Sequence, residues 1–161
     1  MSLPTTTLIV GASAAGYSCA IELSRDPHQR VVLIDQSPHM PYNVCRLAAL
    51  IRGECSIDSI ALPLNSAIQY HPATRLRAID STNQRVSVET TTGRYSMPYD
   101  RLVLALGTQT RIPPLIRQTD CIPLIPFHTL SNALAILTQV SSASRIAIIG
   151  GGINGVELAA A

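Results

Sequence analysis

TTTLIVGASAAGYSCAIELSRDPHQRVVLID, running from Thr5 to Asp35, is the stretch that decides the fold. Thr5–Val10 is β-branched and apolar, as suits a strand buried on both faces. Gly11-Ala12-Ser13-Ala14-Ala15-Gly16 follows as a glycine turn, then a helical stretch to about Ser24 that Asp26-Pro27 breaks. Val31–Ile34 is a second apolar strand, ending at Asp35. Strand, glycine turn, helix and strand within about thirty residues make a βαβ unit, which implies a right-handed crossover and a parallel sheet.

The turn has a chemical reading. Gly11 permits a tight exit from the strand, Ser13 and Ala14 sit where a backbone approaches a pyrophosphate, and Gly16 lets helix and strand pack closely. The helix N-terminus would stabilise phosphate charge, and Asp35 lies about 20 residues on, where an acid accepts hydrogen bonds from a ribose. Ser13 takes the place of the central glycine, and its hydroxyl can itself donate to phosphate. The competing reading is a turn that serves strand–helix packing alone.

Outward from this unit, Arg46–Ile51 reads as a short helix closed by Gly53, and Ala67–Tyr70 as a short strand. Thr74–Ile79, Arg85–Thr90 and Arg94–Met97 alternate in polarity and are separated by turn residues, the pattern of an antiparallel meander. Leu102–Leu106 reads as another buried strand. The segment from Gln109 to Pro126, with Pro113, Pro114, Pro123 and Pro126, reads as a crossover or linker. Ser131–Val140 is expected as a helix with Ser131 as N-cap, and Arg145–Ile149 as a further buried strand. The fold class expected is α/β: a Rossmann-like parallel sheet with an inserted antiparallel β-meander.

Composition excludes several classes. The chain has 161 residues, 47% of them hydrophobic, so global disorder is ruled out. Its 12 basic residues are all Arg, scattered rather than clustered, and the net charge is +2, which is not the footprint of a nucleic-acid binder. Without Lys there is no Schiff-base or P-loop-lysine chemistry. Cys19, Cys45, Cys55 and Cys121 show no zinc spacing and read as reduced thiols, which suits a cytoplasmic location. His28, His39, His71 and His128 share no ligand spacing, so no metal is expected. The uncharged run Leu8–Ile21 is interrupted by glycines and too short to span a membrane. Only 14% of residues are charged, which is low for a chain that must cover its own surface.

A second turn stands near the other end. Gly150, Gly152 and Gly155 complete G-x-G-x-x-G directly after an apolar run, and Val156–Ala161 opens a helix. Two such turns in one chain point to two dinucleotide sites. The first turn, Asp35, the segment Tyr99-Asp100-Arg101-Leu102-Val103-Leu104-Ala105-Leu106-Gly107-Thr108 and the triple-glycine turn with Val156-Glu157 occur in the order that resembles the FAD-dependent pyridine nucleotide-disulfide oxidoreductase family. The resemblance runs from about Thr7 to Ala161 and covers less than half of a complete member.

The resemblance implies FAD at Gly11, Ser13, Ala14, Gly16 and Asp35, with Ala105 and Gly107 near the flavin at the passage between domains. It implies NAD(P)H at Gly150, Gly152, Asn154 and Gly155. Residues 1–109 would then be most of an FAD-binding domain, 110–143 a linker and connecting helix, and 144–161 the truncated start of an NAD(P)H-binding domain. Pro41-Tyr42-Asn43-Val44-Cys45-Arg46-Leu47, ending in Gly53-Glu54, looks most like the flavoprotein part of NADH-dependent nitrite reductases and NADH–acceptor reductases. The expected activity is electron transfer from NAD(P)H through FAD to a small-molecule or protein acceptor, with the 161-residue chain alone expected inactive.

Two other readings remain open. A single-cysteine CoA-disulfide reductase or NADH oxidase would use Cys45 as a catalytic thiol, against the reading of Cys45 as a small apolar residue on a short helix. An inactive nucleotide-binding fragment is the third. Self-association into a homo-oligomer, through an open sheet edge or the terminal strand, is expected.

Overall fold

The computed structural model describes residues 3–112, 124–141, 143 and 145–160. The chain divides into two compact units, residues 1–42 with 61–107, and residues 43–60 with 108–161.

The first unit is built on β1 (Thr5–Val10), α1 (Ala14–Leu23) and β2 (Gln29–Ile34), the expected βαβ unit. β1 pairs in parallel with β2 from Thr5 opposite Gln29 to Val10 opposite Ile34. β3 (Ile68–His71) adds beside β2 and β7 (Arg101–Leu104) beside β1, both parallel, giving the order β3-β2-β1-β7. β4 (Arg75–Asp80), β5 (Arg85–Thr90) and β6 (Gly93–Pro98) form the antiparallel meander, with a register irregularity between Leu76 and Ala78.

Alternation along the central strands sorts two cores. Leu8, Val10, Val32 and Ile34 pack with Val86 and Val88 of β5, so the meander covers one face of the sheet. Ile9, Val31 and Leu33 point the other way and cluster with Ala20 of α1 and Ile68. β1 and β2 are thus covered on both faces, which is why they read as continuous apolar runs. The unit is three layers deep: meander, parallel sheet, helix.

Among its described residues the second unit holds a 3-10 turn (Val44–Arg46), α2 (Leu47–Ile51), α3 (Ile57–Ile60), α4 (Leu130–Val140) and α5 (Ile153–Ala159). α2 lies against both α4 and α5. Its buried residues are Leu47, Ala48 and Leu50, and those of α4 are Leu130, Ala133 and Ile136.

Three expectations are corrected. β7 is not buried on both faces: it is an edge strand that ends at Leu104, which is half exposed. Arg145–Ile149 forms no strand; Ile146 and Ile149 are exposed, and no partner strand for the segment lies among the described residues. A strand exists only through its ladder, so an apolar run without a neighbour remains irregular. The N-cap of α4 is Thr129 rather than Ser131. The short α3 and the isolated antiparallel bridge between Tyr42 and Ala61 had no signal in the reading above. The stretch 113–123, which contains most of the proline-rich segment and Cys121, lies outside the described residues.

Candidate functional site

Parallel strands of an α/β sheet place their ligand crevice beyond their carboxyl ends. In the first unit those ends are Val10, Ile34, His71 and Leu104, and the residues that follow them converge. Gly11 leaves β1 with φ +106°, a conformation that L side chains rarely adopt. Its N–H donates to the Ile34 carbonyl (2.8 Å), and the Ala105 N–H donates to the Val10 carbonyl (2.8 Å). A Cβ on Gly11 would be driven into the Ala105 carbonyl oxygen. A Cβ on Gly16 would be driven into the Gly11 carbonyl oxygen and lie 3.2 Å from the Ala105 Cβ. Gly11, Gly16 and Ala105 are therefore one close-packed contact.

Above this contact α1 begins. Ser13 is its N-cap, with extended backbone and no side-chain capping hydrogen bond. Ser13, Ala14 and Ala15 are exposed. The first N–H groups of a helix have no intrahelical acceptor, and here the residues that carry them are exposed beside a cap hydroxyl that makes no capping bond, the chemistry that receives an anion.

Asp35 is half-buried at the end of β2. Its Oδ2 accepts from the Ala12 N–H (2.6 Å) and its Oδ1 from the Ser37 N–H (2.7 Å). Each carboxylate oxygen keeps a second lone-pair direction, so capacity for ribose hydroxyls remains. Tyr70 stands nearby and donates its hydroxyl to the His39 carbonyl (2.7 Å). Burial, with the negative charge of Asp35 as a second cause, pushes the Tyr70 phenol well above its ordinary range, so it stays protonated. Gly107 follows Ala105 at φ +65° with open space around its Cα.

The second unit repeats the turn. Gly150 has φ +121°, and a Cβ on Gly155 would be driven into the Gly150 carbonyl oxygen, as Gly16 meets Gly11. Gly152 is the N-cap of α5, and Gly151 and Gly152 have open space around their Cα atoms. Asn154 lies in the first turn of α5.

Cys45 also belongs to this unit. It is exposed in the 3-10 turn, and its N–H donates to the Asn43 side chain (3.1 Å). Cys55 is half-buried with its thiol 3.8 Å from the Arg46 carbonyl. Arg52 makes a two-point ion pair with Glu54 (2.8 and 3.0 Å), while a third nitrogen reaches the Glu157 carbonyl (3.5 Å). Hydrogen bonding to Glu54 raises the Arg52 guanidinium above its ordinary value, and the same bond lowers the Glu54 carboxyl. Among the described residues no cluster of three or more His, Cys, Asp or Glu side chains could hold a metal ion. No helix among them is long and apolar enough to cross a membrane.

The structure thus brings Gly11, Ser13, Ala14, Gly16, Asp35 and Ala105 together, and Gly150, Gly152, Asn154 and Gly155 together, each set inside one unit. Sequence reasoning missed Ala12, whose amide ties the turn to Asp35, and Ser37. The signal for Ser37 was present: Asp followed two residues later by a backbone N–H is an Asx-turn arrangement. No local signal marks Ala12.

A parallel sheet that carries one glycine turn at its carboxyl edge, with a second glycine turn of the same geometry elsewhere in the chain, defines a dinucleotide-binding class of protein. The chain belongs to the pyridine nucleotide-disulphide oxidoreductase family, whose pattern matches residues 5–161. It is 28% identical over 159 residues to the assimilatory nitrate reductase electron transfer subunit of Bacillus subtilis, covering 94% of this chain and 20% of that protein. It is 28% identical over 162 residues to the NADH-rubredoxin oxidoreductase of Clostridium acetobutylicum, covering 98% of this chain and 41% of that protein. The crystal structure of the latter superposes with a TM-score of 0.81 at 27% identity, over 98% of this chain and 41% of that one. The covalent putidaredoxin reductase–putidaredoxin complex gives 0.81 at 26% identity, over 99% of this chain and 40% of that one. The chain therefore spans between a fifth and about two fifths of these relatives.

Proposed function

We propose that this chain is the N-terminal, FAD-binding portion of an NAD(P)H oxidoreductase that delivers electrons to a small-molecule or protein acceptor. The observation that carries this reading is the exposed start of α1, with a Ser13 hydroxyl that makes no cap bond, set beside the Asp35 carboxylate in a glycine turn whose geometry the second unit repeats. Residues 1–109 are read as most of the FAD-binding domain, 110–143 as linker and connecting helix, and 144–161 as the opening of an NAD(P)H-binding domain. The first turn fits a dinucleotide: its cap hydroxyl is uncommitted to the helix, the first residues of α1 are exposed, and Asp35 keeps lone pairs for a ribose.

In this reading Ser13, Ala14 and the start of α1 hold the pyrophosphate of FAD, and Asp35 its adenosine ribose. Ala105 and Gly107 keep the backbone low beside it. Gly150, Gly152, Asn154 and Gly155 receive NAD(P)H. The bound flavin would supply the hydride acceptor and electron relay; the protein binds, orients and tunes it. The free thiols of Cys19, Cys45 and Cys55 suit a cytoplasmic setting. Relatives named for rubredoxin and putidaredoxin support a protein acceptor.

The test is the visible absorption of the purified chain after equilibration with FAD. Stoichiometric flavin released on denaturation is the expected result, and protein that stays colourless at saturating FAD overturns the reading in favour of an inactive fragment. The exposure of Cys45 favours a second reading, a thiol-dependent disulfide reductase. In the full-length protein Cys45→Ser should leave acceptor reduction nearly intact; abolished activity would favour the thiol enzyme.

A further inference from the structure

The Gly11–Ala12 peptide plane is held at both ends by residues to which sequence reading gave separate tasks. Its carbonyl oxygen rests on the Cα of Gly16, where any side chain would collide with it. Its N–H, on the buried residue Ala12, donates to Asp35 Oδ2 at 2.6 Å. A trans peptide points its C=O and N–H in opposite directions, so these two contacts fix the orientation of the plane. The other oxygen of Asp35 is tied to the Ser37 N–H at 2.7 Å, so the carboxylate itself cannot swing away. Its backbone is pinned too: the Asp35 N–H donates to the His71 carbonyl (3.1 Å), and the Asp35 carbonyl accepts from the Thr74 N–H (2.7 Å).

From this geometry we infer that Asp35 is a positioning residue for the phosphate turn, holding the Gly11–Ala12 peptide in its binding orientation before any nucleotide arrives. This rests on the dinucleotide reading above and deepens it: one side chain couples the ribose end of the ligand to the pyrophosphate end. Hydrogen bonds from N–H groups to a carboxylate are the strong kind, and the turn has few other anchors at this peptide. A flip of the plane would exchange its carbonyl and N–H, break the Asp35 bond and lift the oxygen off Gly16. It would also alter the direction of the next N–H groups, those of Ser13 and Ala14, which the pyrophosphate needs. Asparagine cannot replace the carboxylate here. It presents one acceptor oxygen and one amide group, and the amide would face an N–H donor.

The experiment compares two probes on the full 161-residue chain and its Asp35→Asn variant: ADP, and 2′,3′-dideoxy-ADP, which has no ribose hydroxyls for Asp35 to bind. If Asp35 positions the turn, the variant loses affinity for both probes, with dideoxy-ADP falling by about tenfold, as for one lost hydrogen bond to a charged group. Unchanged dideoxy-ADP binding with weakened ADP binding overturns the inference and leaves the nucleotide reading standing. Tighter dideoxy-ADP binding overturns it as well, because removal of a negative charge near a phosphate would alone give that result. Failure of the unaltered chain to bind either probe sinks both. Should Asp35→Asn not fold, amide hydrogen exchange in the ligand-free original chain decides. A protected Ala12 N–H supports the inference; an Ala12 N–H exchanging as fast as those of exposed Ala14 and Ala15 overturns it.

Discussion

At the residue scale, the site is a matter of which atoms are missing. Gly16 carries no Cβ because the carbonyl of Gly11 occupies that space. Gly152, at the middle of the second turn, has an ordinary φ of −72° and open surroundings. Gly16→Ala should therefore cost about 1–3 kcal/mol or more of stability, since one added methyl meets backbone that cannot move aside. Gly152→Ala should cost less, about 0.5–1 kcal/mol, since it replaces a good N-cap residue by a poor one without any collision. Denaturant unfolding of the two variants in the absence of ligand checks the contrast, and equal costs would refute it. Both glycine turns were legible in the sequence, because their spacing is local. The bond from Ala12 to Asp35 was not, because it joins residues 23 positions apart through a backbone amide that every residue type carries.

At the element scale, α4 shows what local patterns can hide. Thr129 caps it: the Thr129 side chain accepts from the Asn132 N–H, and the Asn132 side chain reaches back to the Thr129 N–H. This is a capping box with Asn where the familiar pattern has Glu or Gln, so a search for that pattern passes over it and settles on Ser131. Thr129→Ala should cost about 1 kcal/mol, clearly more than Ser131→Ala, read as loss of amide protection in the first turn of α4. The reverse order would restore Ser131 as the cap. β7 was misread for a different reason. Leu102–Leu106 is apolar throughout, but whether such a run lies at the centre or edge of a sheet depends on its neighbours, which are distant in sequence. The meander, by contrast, was legible because polar alternation and turn residues fall within each hairpin, and β4, β5 and β6 form where expected.

At the scale of the whole molecule, the low charge content acquires a physical setting. Leu106, Ile146, Ile149, Ile153 and Val156 are all well exposed, and among the described residues the outer edge of β7 has no partner strand. Exposed apolar residues and free strand edges are sticky surfaces. Light scattering should therefore give a mass above the 17.2 kDa of one chain that rises with concentration. A constant monomer mass at moderate concentration would count against it. The fold class was legible at this scale, since β1 and β2 are buried on both faces and announce a covered parallel sheet. The grouping of residues 43–60 with the C-terminal segment was not, because it depends on α2 meeting α4 and α5 across a long sequence interval.

The contact between Gly16 and the Gly11 carbonyl also bears on how such turns are to be recognised. In a saturation library spanning positions 11–16 and selected for folding alone, glycine should return at 11 and 16, since both collide with the protein's own backbone if given a side chain. Selection for nucleotide binding would add its imprint mainly at 13 and 14. The two outer letters of the motif are thus a signature of architecture, and the inner ones a signature of the ligand.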